Sequence, residues 1–190
     1  KDFVGTAKDD LFSSNTKIVI TAAGVKATLD TIDSEDILDG GKGTDTLSIV
    51  TADTNAATTP HAPTLTSIEN VNVKFQAAST ISLVNATDVE TVKVHNSTGA
   101  AGTVASVAGA TLSVANQKVD VNFDGSTAEK LNLNFDTVGT AATTTPLAAA
   151  TLITVDLGAV TGSKATSFNI IAKDAYVDLN ETAAASATTT

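Results

Sequence analysis

Cysteine, methionine, tryptophan and arginine are absent from this chain, and aromatic residues fill only 4% of its 190 positions. Without cysteine there is no disulfide, no thiolate nucleophile and no Cys-ligated zinc. Phosphate-tracking proteins need clustered Lys and Arg, and here every basic residue is a lysine and none cluster, so no nucleic-acid partner is expected. The formal net charge of -10 likewise opposes an anionic membrane surface. No run approaches the ~18 apolar residues of a membrane span, so no membrane insertion is expected. Lys1 does not open a signal peptide, and the beginning of the chain reads as mid-protein sequence. Neither a G-x-S-x-G element, a phosphate-cradling loop nor a Ser-His-Asp arrangement is suggested, and the expectation is that the chain is not an enzyme. His61 and His95 have no acidic, His or Cys partner at ligand spacing and read as surface histidines.

Threonine occupies 33 positions, and the 42% of apolar residues must build a core mainly from Val, Ile, Leu and Ala. β-Branched side chains lose rotamer freedom in helices and fit a pleated surface, so an all-β fold is expected. From Thr64 onward, alternating runs recur at Glu69 to Val73, Glu90 to Val94, Thr111 to Val114, Glu129 to Phe135, Thr151 to Val155 and Ser167 to Ile171. Their starts fall roughly 20 residues apart, the mark of stacked layers that bury an apolar face only against their neighbours. Thr80 to Leu83 and Lys118 to Phe123 add a second strand per layer. The spacing predicts a parallel β-solenoid (β-helix); the alternative is an antiparallel β-sandwich, whose strands also recur between turns. The paired prolines Pro60 and Pro63 mark a loop over 51–64. Residues 1–50 therefore form one segment, 64–182 the solenoid, and the Ala- and Thr-rich 183–190 a linker or tail.

Acidic residues gather at the front of the chain, around one specific motif. Gly40-Gly41-Lys42-Gly43-Thr44-Asp45-Thr46-Leu47-Ser48 fits the calcium-binding nonapeptide G-G-x-G-x-D-x-U-x at every constrained position. Glycines reach positive φ and let carbonyls converge on a cation, Asp supplies an anionic oxygen, and the large apolar residue anchors a strand inward. Asp36 and Leu38 lie one repeat length before Asp45 and Leu47, and Gly5, Asp10 and Phe12 form a degenerate second copy.

Val4 to Phe12, Asp36 to Leu47 and Leu65 to Val73 together resemble type I-secreted bacterial S-layer proteins with RTX-like repeats. The resemblance covers about residues 1 to 95 by motif and the remainder by composition only. It implies an extracellular, cell-surface protein that binds Ca²⁺ and assembles with copies of itself through β-rich domains. It also implies that Asp36, Asp39 and Asp45, with the carbonyls of Gly41 and Gly43, hold calcium, and that Asp9 or Asp10 completes the shell. One complete nonapeptide, where the family stacks several, implies one or two ions instead of a row. The alternative reading is a calcium-dependent adhesin or glycan-binding module that grips cell-surface polysaccharide.

Overall fold

A computed structural model of the chain describes residues 1–20, 24, 26–53, 59–99, 101–140, 143–144, 147–148, 151–157 and 167–180. The tail at 183–190 and parts of several connections lie outside the described residues. Among the described residues there are nineteen strands and no helix. Seven of them form one wholly parallel sheet. In spatial order these are β2 (Leu11–Ser14), β6 (Thr46–Thr51), β8 (Asn70–Phe75), β10 (Thr91–His95), β12 (Thr111–Gln117), β14 (Lys130–Val138) and β18 (Ser167–Ala175). A second parallel sheet holds β9 (Thr80–Ser82), β11 (Gly102–Ala105), β13 (Val121–Phe123), β17 (Ile153–Asp156) and β19 (Val177–Asn180). A third holds β1 (Asp2–Val4), β5 (Ile37–Asp39) and β7 (Thr64–Thr66), and a bridge from Leu65 to Ala86 continues it.

The chain visits these sheets in rotation. β7 of the third sheet leads to β8 of the first and β9 of the second, then through Ala86 to β10 and β11. Thr91 pairs with Asn70, Thr111 with Thr91 and Leu133 with Leu112, steps of 21, 20 and 21 residues, so the spacing expected from the alternating runs is the layer-to-layer register. Two longer steps have a common cause. Leu11 pairs with Thr46, 35 residues on, because an antiparallel hairpin of β3 (Thr16–Ile20) and β4 (Lys26–Asp30) is inserted. Leu131 pairs with Phe168, 37 residues on, across an interval containing the small hairpin of β15 (Thr143–Thr144) and β16 (Leu147–Ala148). These hairpins are the antiparallel pairings among the described strands, so the antiparallel sandwich is overturned: the three larger sheets are parallel. The strands on either side of 51–64 lie side by side, β6 against β8 and β5 against β7.

Period-2 alternation explains where the core sits. Inward positions in the seven-stranded sheet stack as Leu47, Val71, Val92, Leu112 and Leu133, and beside them as Ile49, Val73, Val94, Val114 and Phe135, all buried. Ile81, Val104 and Phe123 continue the core in the second sheet. Outward positions carry polar residues such as Thr46, Asn70, Thr91 and Thr111, and Asn169 donates to Asn132 on the neighbouring strand at 3.2 Å. With so few aromatics, the layers stay thin, and Phe75 fits at the end of β8 only because Gly102 presents no side chain to its ring.

That contact yields a test with an internal control. A Cβ at Gly102 would collide with the Phe75 ring, whereas one at the exposed Gly109 would meet nothing within 4 Å. Gly102→Ala should lower stability by roughly 1–3 kcal/mol in urea unfolding, and Gly109→Ala should stay within about 0.5 kcal/mol of the parent. Equal midpoints for the two variants would contradict the packing described.

Candidate metal centre

The glycine-rich turn sits at a corner where three layers meet. Residues 5–10, 40–45 and 66–69 stack there. The Gly5 N–H donates to the Asp39 carbonyl at 2.7 Å, the Gly40 N–H to Thr66 at 2.9 Å, and the Lys42 N–H to Thr6 at 3.3 Å. Gly41 and Gly43 have φ of 91° and 124°, where side-chain-bearing residues are strained. Gly40 is needed for another reason: a Cβ there would run into the Ser67 carbonyl and lie 2.5 Å from Asp45 Oδ2. The nonapeptide glycines thus permit both the turn and the close approach of the layers.

The acids at this corner fall into a column. Asp10, Asp45, Glu69 and Glu90 each immediately precede a strand of the seven-stranded sheet, β2, β6, β8 and β10, at equivalent register. The Asp10 N–H donates to Asp45 Oδ1 at 2.7 Å, and the Asp45 N–H donates to Glu69 Oε2 at 2.6 Å. One layer on, the Ser67 N–H donates to Asp88 Oδ2 at 3.1 Å. The Thr87 hydroxyl and that same N–H hold the exposed Asp88 carboxyl below its ordinary value. Asp45, Glu69 and Asp88 thus each accept a backbone N–H from the layer before.

The residues expected at the metal divide into two groups. Asp9, Asp10, Gly43 and Asp45 come together: Asp9 Oδ1 accepts from the Thr44 N–H at 2.9 Å, and Asp10 Oδ2 from the Thr6 N–H and hydroxyl at 2.6 and 2.9 Å. Asp39 lies at the start of the turn and accepts from the Gly41 N–H at 3.1 Å. Asp36 is buried before β5, where it accepts from the Asp33 N–H at 3.1 Å. Among the described residues, no three carboxylate or imidazole side chains converge as a metal group. One atom stands out. Asp45 is 0% exposed, and its Oδ2 is buried without a hydrogen-bond partner. A buried carboxylate oxygen normally has a donor or a cation beside it.

A second polar cluster was not legible in the sequence, and it corrects the reading of His61 as a surface residue. Asp30, at the end of β4, has a fully buried side chain with His61 Nε2 3.2 Å from its Oδ2. The same Oδ2 accepts from the Thr51 hydroxyl, which also lies 3.0 Å from Ser79 Oγ. Oδ1 accepts from the N–H groups of Ala52 and Asp53 at 2.8 and 3.2 Å. Burial works to raise the Asp30 carboxyl, but the interactions with His61, Thr51 and the two N–H groups outweigh it and hold the carboxyl low. The contact with Asp30 raises His61 against the opposing effect of burial. His95, by contrast, is lowered by burial and by Lys93 and Lys74. No spacing rule links positions 30 and 61, so the pairing appears only once the hairpin is in place.

No protein-family model, curated protein or solved structure matches the chain.

The column of acids makes its own prediction. In calcium-free buffer Glu69→Ala should cost about 1–3 kcal/mol, because the Asp45 N–H is left without its acceptor in a buried corner. Glu69→Gln, which keeps an acceptor oxygen, should recover most of that loss, and Glu35→Ala at an exposed position should change little. Urea midpoints that rank Gln with Ala would show that the charge, and not the hydrogen bond, is what matters at Glu69.

Proposed function

We propose that this chain is a calcium-stabilised structural segment of a secreted, self-assembling bacterial surface-layer protein, wound as a parallel β-solenoid. The rotation through three sheets with steps of 20 and 21 residues supports the winding. One observation carries the functional reading. The three segments whose resemblance suggested a surface-layer protein, spread over some seventy residues of sequence, lie on adjacent layers, with Phe12 paired to Leu47 and Leu47 to Val71. Their shared corner holds the buried, unpartnered Asp45 oxygen.

Asp45 would hold the ion through Oδ2, with Asp9, Asp10 and Glu69 as the neighbouring carboxylates. The carbonyls of the Gly41 and Gly43 turn would be the uncharged ligands. Bound calcium would supply positive charge to a column of acids on strands only ~4.8 Å apart, where like charges repel by about 3 kcal/mol at an effective dielectric of 20. Flexible carboxylate and carbonyl oxygens suit the irregular shell of Ca²⁺ better than the strict octahedron of Mg²⁺. The outward columns, rich in Thr, Asn and Ser, suit a scaffold that presents repetitive surface to copies of itself.

Melting temperature should rise with Ca²⁺ and less with Mg²⁺. At ten times the dissociation constant the gain is roughly 1.4 kcal/mol per site. Asp45→Ala should abolish the calcium increment, whereas Asp136→Ala, with its side chain 60% exposed, should leave it whole. Identical melting curves in EDTA and in millimolar calcium would remove the cation from this reading, and a calcium-saturated protein that stays monomeric in light scattering would remove the self-assembly.

A further inference from the structure

The five-stranded sheet ends at β9, and beyond β9 a single described residue continues it. The His61 N–H donates to the Thr80 carbonyl at 3.1 Å, and the Ser82 N–H donates to the His61 carbonyl at 2.8 Å. On either side of His61 the segment is tied to Ser34, whose hydroxyl donates to the Pro60 carbonyl at 3.4 Å and accepts from the Ala62 N–H at 3.0 Å. The imidazole of the same residue meets the buried Asp30 carboxylate, which is built into the inserted hairpin. We propose that Asp30 and His61 form a proton-operated latch that fastens residues 59–62 across the free edge of β9, shut while the imidazole is charged and loosened when it loses its proton.

The geometry makes charge the operative quantity. Nε2 lies 3.2 Å from Asp30 Oδ2, a contact that a charged imidazole makes far more strongly than a neutral one. Asp30 also receives donors from Thr51, Ala52 and Asp53, each of which favours its ionised form. The other charged groups facing His61 are Asp33, from the segment after β4, and Asp53, just past β6, both acidic and both favouring the imidazolium. From the β9 side, Ser79 brings its hydroxyl to the cluster.

The sign follows from the two directions. His61 is raised above 6.5 in the fold, so its contribution is complete below that pH and is lost as pH rises through the folded value. Asp30 is lowered below 3.8, so its contribution is present above that pH and is lost as pH falls through its folded value. The latch is therefore shut from about pH 4 through pH 6.5 and opens as pH rises through the raised value of His61. Opening it frees the Thr80 carbonyl and the Ser82 N–H, an unpaired edge that a strand from another chain can take.

The inference does not depend on calcium, and the test is run on the full chain in EDTA. Amide exchange is followed by NMR at pH 5.5 and pH 8.5, with each rate divided by its intrinsic value. Protection of the Ser82 amide should fall about tenfold or more at the higher pH, while that of Ser113, inside β12, should hold. In His61→Gln the Ser82 protection should be low and equal at both pH values. Unchanged Ser82 protection in the parent, or an equal fall in His61→Gln, overturns the latch. Should His61→Gln fail to fold, the ring-proton titration of His61 in the parent decides: a midpoint above 6.5 supports the latch, and one at or below 6.5 overturns it.

Discussion

Parallel stacking forces each layer to meet the hydrogen-bonding needs of the next. In a parallel ladder the N–H and C=O groups of one strand are satisfied only by neighbours above and below, so the layers must agree in length and register or leave polar groups orphaned. The interior steps of 20 and 21 residues are the signature of that agreement. Extra residues are tolerated only where they leave the stack and return to it. Both inserted hairpins do this, since their own antiparallel pairing satisfies the residues that the layers cannot use.

The same constraint explains the acids. Where the chain turns between the third sheet and the first, some N–H groups point along the stack with no carbonyl to receive them. Asp45, Glu69 and Asp88 reach one layer back and supply the missing acceptors. Repetition of one structural need at one register position places like charges in a column, and hydrogen bonds to the first oxygen of each carboxylate do nothing for the second. At Asp45 burial makes that remainder acute. The stacking itself thus creates the electrostatic difficulty that the proposed cation would relieve.

Most of the stack was legible because its signals are local. Alternation in Glu90 to Val94 or Glu129 to Phe135 can be read without knowing any partner, and the structure finds β10 and β14 there. β11 was missed because Gly102, small to admit the Phe75 ring, interrupts the apolar pattern. At the corner, the glycines and Asp45 were visible as a motif, but Glu69 was passed over. Its signal was present: an acid stands directly before Leu11, Thr46, Asn70, Thr91 and Lys130, each the first residue of a strand. That recurrence has meaning only when the strands are known to be parallel and adjacent, which is why the strand pattern was read and the acid heading it was not.

The Asp30 and His61 pair marks the limit of this kind of reading. A hairpin that leaves the stack must be fastened where it rejoins, and Asp30 occupies that point, so its partners are set by which layer the hairpin returns to and by nothing in its own neighbourhood of sequence. Thr51, Ala52 and Asp53 come from the end of β6, Ser79 from the turn before β9, and His61 from the segment beside it. Thr51, Ala52, Asp53 and His61 converge on one buried carboxylate, and Ser79 reaches it through Thr51. A periodic fold makes its repeats predictable from sequence, and by the same logic its departures from periodicity are where long-range polar contacts, and sensitivity to pH, collect.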